Sequence, residues 1–278
     1  MTDQECVRFL QWCLPELRYR WRGFRRVRRQ VCRRINARMQ ALGLDSGEQY
    51  RCYIEQHPGE WRKLDGFCAL PISRFWRDRE VFSLIRTELM PSLMETASIM
   101  GHDQIRCLSV GCCNGEEPYS LMILWELGLS EEQKRGVSIS ISATEVNEQT
   151  LERAGQASYP FSSIRNLPPE FRESAFDSTE DWFTLKPRFR LPVRFLCQDI
   201  RSTVPEGFFH LILCRNLVFT YFEKSLQIEV LDRMYTHLTS GGFLVIGLHE
   251  SLPKDLTNCI PYEKRLSVYQ KVSCEDKA

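Results

Sequence analysis

The sequence predicts an α/β chain: a doubly wound, mostly parallel sheet preceded by an all-helical region. Three observations carry this. The apolar run Ile105–Val110 leads at once into Gly111 and Gly115 and then into Leu121-Met122-Ile123-Leu124, which reads as strand, glycine loop and helix start. From there onward, strand-like apolar runs alternate with amphipathic helical segments, the rhythm of a parallel sheet with helical crossovers. Before it, residues 4–70 show helical spacing.

In the helical region Val7, Leu10, Leu14 and Leu17 share one face, and Pro15 and Gly23 are expected to kink or divide the segment. Phe24, Val27, Val31, Ile35, Met39 and Leu42 predict a second helix stopping near Gly43. Asp45 or Ser46 can cap a third through Tyr50 and Ile54, and Pro58 opens a fourth carrying Trp61, Leu64 and Phe67. A further helix, capped at Asp78 with Val81, Phe82, Ile85, Leu89 and Leu93 inward, is expected to end around Pro91–Met94. These elements set a helical N-terminal domain at 1–95 and a second domain at 96–278.

In the second domain, Val137–Thr144 alternates strictly and predicts a strand ending at Glu145, followed by a helix over Asn147–Gly155. Residues 158–192 break the rhythm with five prolines and short aromatic pieces, and read as a small inserted β-subdomain. Strands are expected at Val193–Cys197, ending at Asp199-Ile200, and at Phe208–Cys214, ending at Arg215-Asn216. A helix over Tyr221–Leu238 and strands at Phe243–Ile246 and Leu266–Val272 complete the pattern. Ligands of such sheets bind beyond the carboxyl ends of the strands. Gly111, Glu145, Asp199 and Arg215-Asn216 all fall there.

The glycine loop is acidic, with Glu116 and Glu117 at the helix start, where the helix dipole favours carboxylates. Carboxylates would repel a pyrophosphate, and G-x-x-x-G departs from the dinucleotide pattern. S-adenosyl-L-methionine carries a sulfonium and an ammonium and no phosphate, so it is the expected cofactor.

Ten arginines and no acid lie between Leu17 and Leu44, while the chain total is +1, so the other residues sum to −9. Such a run is either a face neutralised by the acidic remainder or a docking surface for an acidic partner. Nucleic acid is not expected, because no stacking platform accompanies it. The N-terminus has no signal-peptide pattern and no stretch reaches the length of a membrane span, so a cytoplasmic protein without membrane insertion is expected. The twelve cysteines show no metal-ligand spacing; reduced, buried thiols and no metal are expected. Nothing in the sequence demands a dimer, so a monomer is expected.

The motif set I-S-R-F-W-R-D (72–78), G-E-E-P-Y-S (115–120), A-T-E (143–145), S-I-R-N-L-P-P-E (163–170), C-R-N (214–216), Y-F-E-K (221–224) and G-G-F-L-V-I-G-L-H-E-S-L (241–252) resembles the CheR family, S-adenosylmethionine-dependent methyltransferases of chemotaxis-receptor glutamates. The resemblance covers roughly residues 5–272. It implies a Rossmann-like class I methyltransferase sheet. It implies Arg77 and Tyr221 at the acceptor, and Ser73, Arg77, Gly111, Gly115, Glu117, Glu145, Asp199, Ile200, Arg215 and Asn216 at the cofactor. Glu145 corresponds to the family's ribose-binding aspartate, and Asp199-Ile200 to its asparagine-leucine pair beside the adenine. Pro71 replaces a family asparagine, and the spacer Leu217–Thr220 is one residue longer than usual. The acceptor it implies is a glutamate of an acidic, receptor-like protein, met by the arginine-rich helix. Those two departures motivate an alternative, a small-molecule carboxyl, amine or thiol. A third reading is a cofactor-binding scaffold without turnover, against which the retained Arg77, Tyr221, Arg215 and Asn216 argue.

Overall fold

The computed structural model describes residues 1–134, 136–253 and 259–272. The chain packs as two compact units, one of Met1–Pro71 with Thr220–Gln227, the other of Ile72–Phe219 with Ile228–Ala278. The division therefore falls at Pro71/Ile72 rather than near residue 95. The reason is packing: Val81, Ile85, Leu89 and Leu93 are buried in the same apolar cluster as the sheet residues Ile105, Ile141 and Leu213.

The helical unit contains helices Asp3–Glu16, Arg28–Ala41, Gly47–Gln56 and Glu60–Cys68, with a single turn at Trp21–Phe24. Thr2 and Glu5 close a capping box on the first, satisfying two backbone donors that the helix itself leaves open. Pro15 lies in its final turn and ends it rather than kinking it; Arg18, at φ 58°, then turns the chain. Ser46, not Asp45, caps the third helix by accepting from the Gln49 amide at 3.2 Å. Leu10, Leu14, Phe24, Val31, Ile35, Tyr50, Ile54 and Leu64 form the buried interior of this unit. Thr220–Gln227 joins it through backbone bonds, Arg20 N–H to Tyr221 O at 2.8 Å and Glu223 N–H to Arg18 O at 2.9 Å.

The cysteines depart from the expectation of reduced, buried thiols in two ways: Cys6 and Cys32 are joined by a disulfide, with Cα atoms 6.0 Å apart, and the free Cys52 and Cys197 are exposed. Spacing along the sequence carries no trace of this pairing. Cys274 lies outside the described residues.

The second unit is built on a seven-stranded sheet. Its strands are β1 (Gln104–Val110), β2 (Ser138–Glu145), β6 (Val193–Cys197), β7 (Phe209–Cys214), β8 (Leu238–Ile246), β9 (Cys259–Glu263) and β10 (Val268–Lys271), in the order β6-β2-β1-β7-β8-β10-β9. The first five are parallel, and β10 runs antiparallel to β8 and β9. Strands β3 (Ser158–Pro160), β4 (Phe176–Ser178) and β5 (Trp182–Leu185) form a separate antiparallel sheet within residues 158–192.

Three elements differ from the sequence reading. The helix after Asp78 does not stop at Pro91–Met94. Pro91 lacks the N–H of an ordinary helical bond; a wider π turn, Ile85–Leu89, precedes it and Met90–Met100 continues to Gly101 at φ 69°. Asp78 does not cap the helix with its side chain, because it adopts a left-handed backbone (φ 60°). Strand β9 has no counterpart in the sequence reading, since Pro261 in its middle reads as a breaker; the strand lies at the sheet edge, where a missing N–H is tolerated.

Candidate active site

The sheet order decides where a ligand can sit. From β1 the chain moves outward to β2 and β6, then crosses back to β7 on the other side of β1. The crevice at such a reversal, beyond the carboxyl ends of the strands, is the binding place of open parallel sheets. The ends of β2, β1 and β7 are therefore neighbours, and they carry Glu145, the glycine loop and Arg215-Asn216.

The loop after β1 is fixed by its backbone. Gly111 (φ 69°), Cys113 (φ 51°) and Gly115 (φ 86°) are all left-handed, and the Cys112 amide bonds Thr144 O at 2.9 Å, tying the loop to β2. The Tyr159 hydroxyl donates to Asn114 O at 2.6 Å, so the small sheet also braces the loop. A Cβ on Gly115 would lie 3.0 Å from the Tyr119 ring and 3.1 Å from Phe195.

Glu117 and Arg215 form one network. Glu117 accepts from the Ser109 hydroxyl at 2.8 Å and from the Arg215 guanidinium at 3.2 Å. Arg215, only 2% exposed at its side chain, also bonds Asp78 at 2.6 Å and Arg77 O at 2.9 Å. Both backbone positions flanking Arg77 are left-handed, Trp76 at φ 54° and Asp78 at φ 60°. A left-handed tryptophan is strained, and such strain persists only where surrounding structure imposes it. Trp76 is held by its amide on Ser120 Oγ at 3.0 Å and by stacking on Phe82. Arg77 itself donates to Ile72 O at 3.1 Å.

Burial pushes the Glu116 carboxyl up, with its own backbone amide, Asn114 and Ser73 partly offsetting it. Burial likewise raises Glu145, although the amides of Asn147, Val146 and Cys113 all point at its carboxylate. Burial, and then the carboxylates of Glu145, Glu116 and Glu117, hold the Cys113 thiol well above its usual range, against the opposing charge of Arg77. Burial and the neighbouring carboxylates raise Cys112 as well, which holds both loop thiols toward the protonated form.

Two of the expected residues have partners of their own in the fold. The Asp199 carboxylate is taken up by Arg201, whose amide and guanidinium donate to it at 2.7–3.1 Å. It is thus already engaged where an adenine amino group was expected to donate; Ile200 beside it is buried. Tyr221 belongs to the helical unit, where its ring packs 4.9 Å from that of Phe24. Ser73, Arg77, Gly111, Gly115, Glu117, Glu145, Arg215 and Asn216 all lie in the sheet unit.

The sequence reading gave no site role to Asp78 or Glu250. In the fold one of the Glu250 carboxylate oxygens accepts from the Gly247 amide at 2.6 Å and the Asn216 amide at 2.9 Å, which holds left-handed Asn216 (φ 58°) in place. The only signal was an acid just after a strand end.

Six buried side-chain polar atoms lack a partner among the described residues, and five belong to this crevice: Asn114 Oδ1, Glu116 Oε2, Thr144 Oγ1, Arg215 Nε and Asn216 Nδ2. Unpaired buried polar atoms are costly, so their concentration at one place marks where a polar ligand completes them. Their chemistry, mostly acceptors and carboxylates beside a glycine loop, fits a cationic nucleoside better than a phosphate.

A sheet of this order, with an antiparallel strand inserted next to its last parallel one and an acidic glycine loop after β1, defines a class I S-adenosylmethionine methyltransferase. The model of the CheR methyltransferase SAM-binding domain matches residues 72–266, and the chain belongs to the CheR methyltransferase family. It is 30% identical over 226 residues to the "Probable biofilm formation methyltransferase WspC" of Pseudomonas aeruginosa, covering 79% of this chain and 51% of that protein. It is 30% identical over 192 residues to a chemotaxis protein methyltransferase of Listeria innocua, covering 68% and 70%. With chemotaxis protein methyltransferase 1 of Pseudomonas aeruginosa it shares 27% over 249 residues, 88% and 86% of the two chains. The chain thus spans about half the length of WspC and most of the length of the two chemotaxis methyltransferases.

Proposed function

We propose that the protein methylates side-chain carboxylates, glutamate above all, of an acidic protein partner in the cytoplasm, working as a monomer. The observation that carries this is Arg77, held between two left-handed residues at the mouth of the crevice. A glutamate acceptor is already ionised at neutral pH and needs no general base. A fixed guanidinium gives it charge and alignment, which is what an in-line displacement requires. When bound, S-adenosylmethionine supplies an electrophilic methyl on its sulfonium. Glu145 would accept from the ribose hydroxyls and Glu116 and Asn114 would take the ammonium, while the Arg215 network keeps Glu117 and the Arg77 backbone in position.

The arginine-rich segment, part turn and part the helix Arg28–Ala41, supports the choice of a protein acceptor. Arg22, Arg25, Arg26, Arg29 and Arg33 are exposed, and no ion pair is seen for them among the described residues. No helix among the described residues is long and apolar enough to cross a membrane.

The test is to incubate the protein with methyl-labelled S-adenosylmethionine and host extract, separate large from small products, and treat both with mild base. Label in protein, released as methanol, is the expected result. Label in the small fraction would instead point to a small-molecule acceptor, and base-resistant label in protein to an amine.

A further inference from the structure

The helical unit has a cleft of about 440 Å³ that the crevice chemistry does not use. It is lined by Cys6 and Cys32 of the disulfide and by Arg29, Arg33, Asn36 and Gln40, among others. Positions 29, 32, 33, 36 and 40 follow helical spacing, so one stripe of the helix Arg28–Ala41 presents two arginines, a cysteine and two amides together. Both arginines are exposed. The one acid lining the cleft, Asp3, is neutralised by Arg28 at 2.9 and 3.1 Å, with Arg29 adding to the positive field. Asn36 donates to Met1 O, while its Oδ1 is buried without a partner.

We propose that this cleft is a thiol–disulfide exchange site for an anionic low-molecular-weight thiol. The ligand chemistry follows from the lining. Arg29 and Arg33 take carboxylates, and the disulfide takes the sulfur. On the cytoplasmic reading proposed above, a disulfide meets a reducing pool, and such disulfides are transient, catalytic or sensing rather than permanent. This one lines a cleft wide enough for a small thiol.

The exchange balances as follows. The incoming thiolate attacks Sγ of Cys32, the more exposed of the two (8% against 1%), forming a mixed disulfide and breaking the Cys6–Cys32 bond. Cys6 leaves as a thiolate and takes a proton from solvent. A second thiolate attacks the small-molecule sulfur of the mixed disulfide, releasing the oxidised small-molecule disulfide and the Cys32 thiolate. Arg29 and Arg33, one turn before and one residue after Cys32, stabilise that thiolate until it is protonated. Two electrons pass from two small thiols to the protein. The arginine-rich helix then loses its covalent tie to the helix Asp3–Glu16 and keeps the Asp3–Arg28 ion pair and apolar packing.

The test uses the whole chain and two probes, reduced glutathione (anionic) and cysteamine (cationic). Exchange is quenched by alkylation and the Cys6–Cys32 state is read by mass spectrometry. Per unit of thiolate, glutathione is expected to react about tenfold faster than cysteamine at low salt, a preference that falls as ionic strength rises. R29Q/R33Q should bring the two rates together, and R33E should favour cysteamine; both substitutions are on the surface, and the helical content by circular dichroism should not change. Equal rates in the unmodified chain would overturn the proposal. So would an unchanged ratio in both variants, a bond that stays closed in millimolar glutathione, or two free thiols at every glutathione ratio.

Discussion

Replacing Asp78 with asparagine isolates one charge of the Arg215 network. Asparagine keeps the size of the side chain and tolerates a left-handed backbone nearly as well, so φ 60° is not an added cost. Arg215 stays buried at 2% exposure and keeps Glu117 at 3.2 Å, but its contact at 2.6 Å loses its charge. At an effective dielectric near 20, two charges about 4 Å apart interact by about 4 kcal/mol. Asp78 is a quarter exposed and Glu117 remains, so the net loss should be about 2–3 kcal/mol. Alanine at the same position adds left-handed strain of about 1–2 kcal/mol, which glycine avoids. Urea unfolding followed by tryptophan fluorescence should therefore rank Asp78→Asn above Asp78→Ala, with Asp78→Gly less damaged than alanine. A D78N transition within about 0.5 kcal/mol of the parent would refute the charge argument, and equal losses for alanine and glycine would refute the strain argument.

Three further outcomes follow from the same geometry. Glu60, buried at 3% and bonded by Arg38, Tyr50 and Lys63, has its carboxyl pulled down from 4.5 to about 2, chiefly by the Arg38 hydrogen bond. Its stabilisation is complete above the unfolded-state value and is lost as pH falls from about 5 toward 2. Glu60→Gln should lower stability at neutral pH by about 3 kcal/mol and flatten that acid-side slope in melts taken from pH 7 to 3. Gly115→Ala puts a Cβ into left-handed backbone and within 3.0–3.2 Å of Tyr119, Phe195 and Ala154. It should cost about 2–4 kcal/mol of stability and weaken S-adenosylmethionine binding by calorimetry; unchanged binding would detach the loop from the cofactor. Glu250→Gln keeps one acceptor for the Gly247 and Asn216 amides, whereas Glu250→Ala leaves both without one. The alanine variant should raise KM for S-adenosylmethionine at least about tenfold and the glutamine variant should recover most of it, the pattern of a positioning role.

Much of the site was legible because it is local. Gly111, Gly115 and the adjoining carboxylates lie in one short stretch, and Glu145 and Arg215-Asn216 each follow an apolar run that had to be a strand. Period-two and helical spacing report burial directly, so most strands and helices were placed, although the second helix starts at Arg28 rather than Phe24, the later one at Lys224 rather than Tyr221, and β8 at Leu238 rather than Phe243. Asp78, Asp199 and Glu250 were not legible in their roles. Each is defined by a partner distant in sequence or by a backbone angle: Arg215 for Asp78, Asn216 for Glu250, and a local arginine that captures Asp199.

The sequence by itself determined the class of fold, the glycine loop and its acidic character, and the density of arginine before Leu44. These are consequences of composition and short-range spacing. Only the tertiary structure decided that the division between units falls at Pro71, that Thr220–Gln227 packs with the helical unit, and that Cys6 and Cys32 are bonded. It also decided which polar atoms of the crevice are left without partners. Each of those depends on which distant segments meet, and a hydrogen bond, a disulfide or an unpaired atom exists only once both sides are in place.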